Sequence, residues 1–163
     1  MSWLKSLFGS NSEPEKNEPH QKRFVHPVAA MEEAFKAHGD ELNGTLTAEN
    51  KKNALMTWRS YIDEHQHDFA DLVAHDPKSE QLAKLEADVI MRTFLCGVMA
   101  KRGWIEEMTA KQVPFMLGRA LRDQIRAMGI PLEQKVNANA GTSIDMALMQ
   151  VLEVGMKAGA SKS

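Results

Sequence analysis

Six histidines, one cysteine and a row of basic side chains are the groups through which this 163-residue chain could do chemistry. His65 and His67 resemble a ligand pair, but two positions apart on a helix they point roughly 200° from each other and cannot share a metal. His67 with Asp71, and Asp63 with His67, have the i, i+4 spacing a metal needs. All three lie opposite the apolar stripe that contains Trp58 and Ile62, and no third ligand is specified, so a solvated polar face is expected. His38 and His65 each occupy an apolar-stripe position. A haem ligand or a pH-sensitive packing contact is one reading; a partly buried imidazole satisfied by nearby backbone is the simpler one. Cys96 has no second cysteine to pair with, which excludes an internal disulfide and a cysteine-rich zinc site; its neighbours Phe94, Leu95 and Val98 point to an inert buried thiol. The glycines are isolated rather than clustered into a phosphate loop, and neither a Gly-x-Ser-x-Gly elbow nor a His-Glu-x-x-His pair occurs. A non-enzymatic protein without metal or cofactor is therefore expected.

Binding chemistry is better represented. Lys111, Arg119, Arg122 and Arg126 fall within roughly 80° of one helical face, opposite Val113, Leu117, Leu121, Ile125 and Met128. Such a row suits an acidic partner or phosphates; the competing reading is an ordinary solvated face balanced by Asp123. The net charge of −2 and a pI near 6.3 supply no global basic field, so nucleic acid is not the favoured ligand. Methionine, at 11 residues, is concentrated late in the chain as Met108, Met116, Met128, Met146, Met149 and Met156. It serves either as core filler or as the lining of an adaptable groove between the last two helices, one that the chain's own N-terminal segment could also occupy.

The strongest compositional contrast is at the N-terminus. Within residues 1–9, Met1, Trp3, Leu4, Leu7 and Phe8 share an arc of roughly 160° on a helix, with Ser2, Lys5 and Ser6 opposite. So short a helix is marginal in water and needs its apolar face covered, by another protein, by a membrane interface or by the chain's own bundle. Trp3, Leu4, Leu7 and Phe8 are the expected anchors. Lys5 is the only basic side chain among them and the next charges are acidic, which weakens the membrane reading. From Ser10 to Lys22 only prolines interrupt a wholly polar run, the composition of a flexible linker. Such a run has a reach of roughly 20 Å. The segment is too short for a membrane span and lacks a signal-peptide pattern, so a cytoplasmic protein is expected, with peripheral contact at the inner membrane face as the variant.

These groups have to be positioned by helices. Pro27 opens one that buries Val28, Met31, Phe35 and His38 and stops at Gly39. Thr47 caps a second, with Leu55, Trp58, Ile62, His65, Phe69 and Leu72 as its stripe, ending at Asp76-Pro77. A third, capped by Asp76, passes Leu82, Leu85 and a nearly all-apolar run from Val89 to Ala100 that only Arg92 and Thr93 interrupt; it is the central helix, closed by Lys101, Arg102 and Gly103. A capping box at Thr109-Gln112 opens a fourth, which Gly129 and Pro131 end; the fifth follows Gly141-Thr142-Ser143, buries Ile144, Leu148, Val151 and Leu152, and runs out near Lys157. No alternating pattern suggests a sheet. The expected architecture is a compact all-α bundle of about five helices over 27–158, after a docking segment (1–9) and a polar linker (10–26) and before a disordered C-terminus (159–163). The expected function is that of an adaptor or assembly accessory; its partner and oligomeric state are not specified by the sequence.

Overall fold

Proline, glycine and hydroxyl side chains place the helix ends. The structure is a computed structural model that describes residues 26–65, 79–129 and 137–161. Its helices are α1 (Pro27–Thr45), α2 (Ala48–His65), α3 (Ser79–Lys101), the single turn α4 (Glu107–Ala110), α5 (Val113–Ala127) and α6 (Asn137–Ser161). Among the described residues there is no strand, and the architecture is the all-α bundle expected from the sequence.

Pro27 takes the first turn of α1, where its missing N–H costs nothing, and the His26 imidazole Nδ1 accepts the Ala29 amide at 3.4 Å. Gly39 does not end this helix. His38 leaves helical geometry (φ −124°, ψ 28°) and kinks it, after which the chain resumes its turns to bury Leu42. The stop comes at Thr45 and Leu46, whose amide reaches back to the carbonyls of Leu42 at 3.0 Å and Asn43 at 3.2 Å. Thr47 then caps α2 as expected: its hydroxyl accepts the Asn50 amide at 3.1 Å. Ala54, Trp58 and Ile62 form the buried side of α2, whereas Leu55, expected in that stripe, is 40 % exposed because it sits on the flank of the arc they define.

α3 is the central helix. From Val89 to Ala100 only Met91 and Arg92 keep partial exposure, and both polar residues of the run are satisfied. The Thr93 hydroxyl donates to the Val89 carbonyl at 2.8 Å, and Arg92 pairs with Glu32 and Asp88 while lying over the Phe35 ring. The helix closes in a Schellman motif. Gly103, left-handed at φ +79°, donates to Ala100 at 3.1 Å, and Trp104 donates to Met99 at 2.9 Å. Gly129, left-handed at φ +87°, follows α5 and places its amide on the Arg126 carbonyl at 3.0 Å.

The expected capping box at Thr109-Gln112 does not form. Thr109 lies inside α4, and Gln112 precedes α5 without a side-chain cap. Pro114 is the reason: it has no N–H for the Ala110 carbonyl and its ring would collide there, so one continuous helix cannot pass and α5 starts anew with Pro114 in its first turn. α6 starts at Asn137, earlier than the Gly141-Thr142-Ser143 start expected, and runs through Ser161. The free end expected from 159 therefore begins as helix, with Gly159 buried beside Val98.

α6 makes its most extensive contacts with α3, and further ones with α2 and α5. Glycine makes the first of these possible. A Cβ placed on Gly97 would overlap the Leu152 carbonyl oxygen, and one on Gly155 would overlap the Phe94 carbonyl oxygen, so backbone lies on backbone at this crossing. Around it Trp58, Phe94, Met31, Leu42, Ile90, Met99, Leu117 and Leu121 are fully buried. Among the described residues no helix is long and apolar enough to cross a membrane.

Candidate functional site

The anchors expected at Trp3, Leu4, Leu7 and Phe8 lie outside the described residues, as do the linker up to residue 25, His67, Phe69, Asp71, Leu72, the Asp76-Pro77 start, Pro131 and the His65 side chain. The basic row is described, and its four members do different things. Lys111 is not on α5: it caps the end of α4 and pairs with Glu107 at 3.6 Å, both side chains more than half exposed, an arrangement of little energetic weight. Arg122 reaches across to α6, donating to Asp145 at 2.9 Å with both side chains about four-fifths buried. It is a strut between helices. Burial of Asp145 raises its carboxyl pKa, and the Arg122 guanidinium opposes that rise. Gly118 leaves the room for this carboxylate, since a Cβ there would overlap it. Arg126 pairs with Asp123 one turn back, at 2.8 Å. Arg119 is exposed and has no carboxylate partner among the described residues.

Sequence reasoning passed over one residue of this face, Phe115. Phe115 is 47 % exposed and Met108, on α4, is 72 % exposed. Phe115 precedes Arg119 by four positions, so Phe115, Arg119, Arg122 and Arg126 stand at i, i+4, i+7 and i+11 within an arc of roughly 60°. The same spacing that picked out the arginines contained Phe115. It was hidden by the usual presumption that a phenylalanine on a bundle helix faces inward. On the inner side of α5, Val113, Leu117, Leu121 and Ile125 are fully buried, as their spacing requires.

The late methionines divide. Met116, Met128, Met149 and Met156 are half-buried against the core, whereas Met108 and Met146 reach solvent. His38 is not a bare imidazole in a cavity. Its ring stacks on Trp104 with centroids 3.8 Å apart and planes 8° from parallel, and its Nδ1 lies 3.8 Å from Glu41. Arg102 covers Trp104 in turn, 5.4 Å from the ring centre, and donates to the Thr45 hydroxyl at 3.3 Å. This stack holds the kink of α1 against the turn that follows α3. Among the described residues no group of three or more His, Cys, Asp or Glu side chains is placed to hold a metal ion.

Cys96 is buried, and burial pushes its thiol up to about 12. The thiolate is the reactive form, so folded protein should resist alkylation. At pH 8 iodoacetamide is expected to label Cys96 at a rate lower by orders of magnitude than in guanidinium, read by mass spectrometry. Equal rates in the two conditions would place the thiol at the surface.

Compared with protein-family models, with curated proteins and with solved structures, the chain matches none.

Proposed function

We propose that this chain is a non-enzymatic interaction module of the cytoplasm, an adaptor or assembly accessory whose helical bundle is tethered to a larger complex through residues 1–9. One observation carries the reading: an amphipathic apolar segment is set apart from the rest of the chain by Ser10 to Lys22, a run without apolar residues other than proline. A segment whose apolar face cannot be covered by so short a helix alone gains most from a groove on another protein, where Trp3, Leu4, Leu7 and Phe8 would anchor it. Lys5 and the acidic residues that follow make an anionic membrane surface the less favourable site. The basic groups of α5 and of the end of α4 are also a poor match for nucleic acid, since Arg122, Arg126 and Lys111 are each engaged with a carboxylate.

On this reading, deleting residues 1–9 should leave the helical circular-dichroism signal and the melting temperature unchanged, because the segment's apolar face serves a partner and not the bundle. It should abolish co-purification of the partner from the native host. Association that survives the deletion refutes the tether. A fall in melting temperature would show instead that the segment covers the chain's own bundle.

A further inference from the structure

We propose that Met56 and Met108 are sites of reversible oxidation, each taking up one oxygen from hydrogen peroxide as methionine sulfoxide while the bundle stays folded, whatever residues 1–9 bind. Eleven methionines and one cysteine carry the sulfur of this chain. A cysteine with access to water is ordinarily the first of these to react, because its thiolate is the stronger nucleophile. Here that route is closed. Cys96 is fully buried in α3, and burial pushes its thiol up to about 12, so at neutral pH it is neither reached by peroxide nor ionised. Oxidation passes to the thioethers. They need no deprotonation, so contact with solvent decides among them.

The fold sorts the methionines widely. Met31 and Met99 are fully buried, whereas Met56 on α2 is 58 % exposed and Met108 on α4 is 72 % exposed. With more than half of each residue in water, the sulfur, one bond from the end of its side chain, is open to a small neutral oxidant. Met146, at 36 %, is the next most exposed of the described methionines. The reaction is a two-electron oxygen transfer. A sulfur lone pair attacks one oxygen of hydrogen peroxide, the O–O bond breaks as the S–O bond forms, and the other oxygen takes the remaining proton and leaves as water. Sulfur is oxidised and peroxide reduced; methionine sulfoxide reductases return the thioether. Position sets the consequence for the fold. At Met56 and Met108 the polar S=O group stays hydrated, while at Met31 or Met99 it would be a polar group inside the core. Leu55, beside Met56 in the chain, is itself 40 % exposed, so oxidation turns an apolar spot on α2 into a polar one.

The test treats the full, reduced chain with excess hydrogen peroxide, quenches it at intervals and follows each methionine and Cys96 by peptide mass spectrometry. Met56 and Met108 should gain oxygen at least about tenfold faster than Met31 and Met99, with Cys96 unchanged, and at rates that do not vary from pH 5 to 8. In guanidinium the rates of these four methionines should converge, since the fold alone separates them. Protein oxidised at both exposed positions and not in the core should keep its melting temperature. Oxidation of either exposed residue as slow as that of Met99 overturns the proposal, as does Cys96 reacting alongside them, a difference in rate that persists in guanidinium, or a melting temperature that falls once both carry oxygen.

Discussion

Gly155→Ala is expected to lower the stability of the bundle by about 2 kcal/mol or more and its melting temperature by roughly 5–8 °C, although alanine is the better helix former. Two terms oppose each other. In mid-helix the exchange of glycine for alanine gains about 1 kcal/mol of propensity. The added methyl, however, would overlap the Phe94 carbonyl oxygen and crowd the Phe94 Cα. These are backbone atoms of a fully buried helix, with no side chain to rotate away, so α3 and α6 must move apart. Their separation loosens the packing of Phe94, Val98, Val151 and Leu152, all buried around the crossing, and overpacking of this kind costs about 3 kcal/mol or more. The clash therefore wins. Gly97→Ala meets the Leu152 carbonyl from the other helix and should cost as much. The two changes together should cost less than their sum, because the separation forced by one relieves the other. Gly44→Ala supplies the control of opposite sign: a Cβ there has nothing within 4 Å, and the α1 helix gains up to about 1 kcal/mol. Urea denaturation of the four variants gives the comparison. A Gly155→Ala protein as stable as the parent would mean that the two helices do not approach so closely.

That crossing also shows where sequence reading stops. Local signals were legible because their physics is local. Thr47 bonds a backbone amide three residues away, and Gly103 and Gly129 take left-handed angles that other residues avoid. The buried stripes of α5 and α6 follow directly from helical spacing. What failed depended on partners distant in the chain. Gly97 and Gly155 read only as isolated glycines until α3 and α6 are brought together. Gly39 resembled a stop, yet α1 kinks at His38 and continues because Trp104, far along the chain, stacks on that imidazole and Leu42 has a core to enter. The α5 face was half legible: the arginine row was found by spacing, but the pairing of Arg122 with Asp145 belongs to the packing of α5 on α6. Glu86 was missed for the same reason, since an acidic residue flanked by Leu85 and Val89 reads as the polar side of a helix.

Glu86 should make the protein less stable as the solution becomes alkaline. Its side chain is 5 % exposed, and burial raises its pKa from the ordinary 4.5 to about 7, against the lowering effect of Arg59 at 3.7 Å. Arg59 is half exposed, so its charge is screened and compensates only part of the desolvation. The sign follows from proton binding. Between pH 4.5 and 7 the folded chain keeps on Glu86 a proton that the unfolded chain gives up, so the contribution is full below about 4.5 and is lost as pH rises through about 7. Two and a half pH units correspond to about 3 kcal/mol, a large share of the 5–15 kcal/mol on which domains depend. Glu86→Gln keeps the shape of the side chain and removes its titration. The variant should match the parent at pH 5 and exceed it by about 3 kcal/mol at pH 8.5, where the parent must hold a buried carboxylate. Arg59→Ala should have the reverse effect, raising the Glu86 pKa further and steepening the loss of stability on the alkaline side. Other groups titrate over this range in every variant, so the difference between the Glu86→Gln and parent curves isolates this carboxyl. Parallel curves from pH 5 to 8.5 would show that water reaches Glu86 in the folded protein and that its charge is carried there without cost.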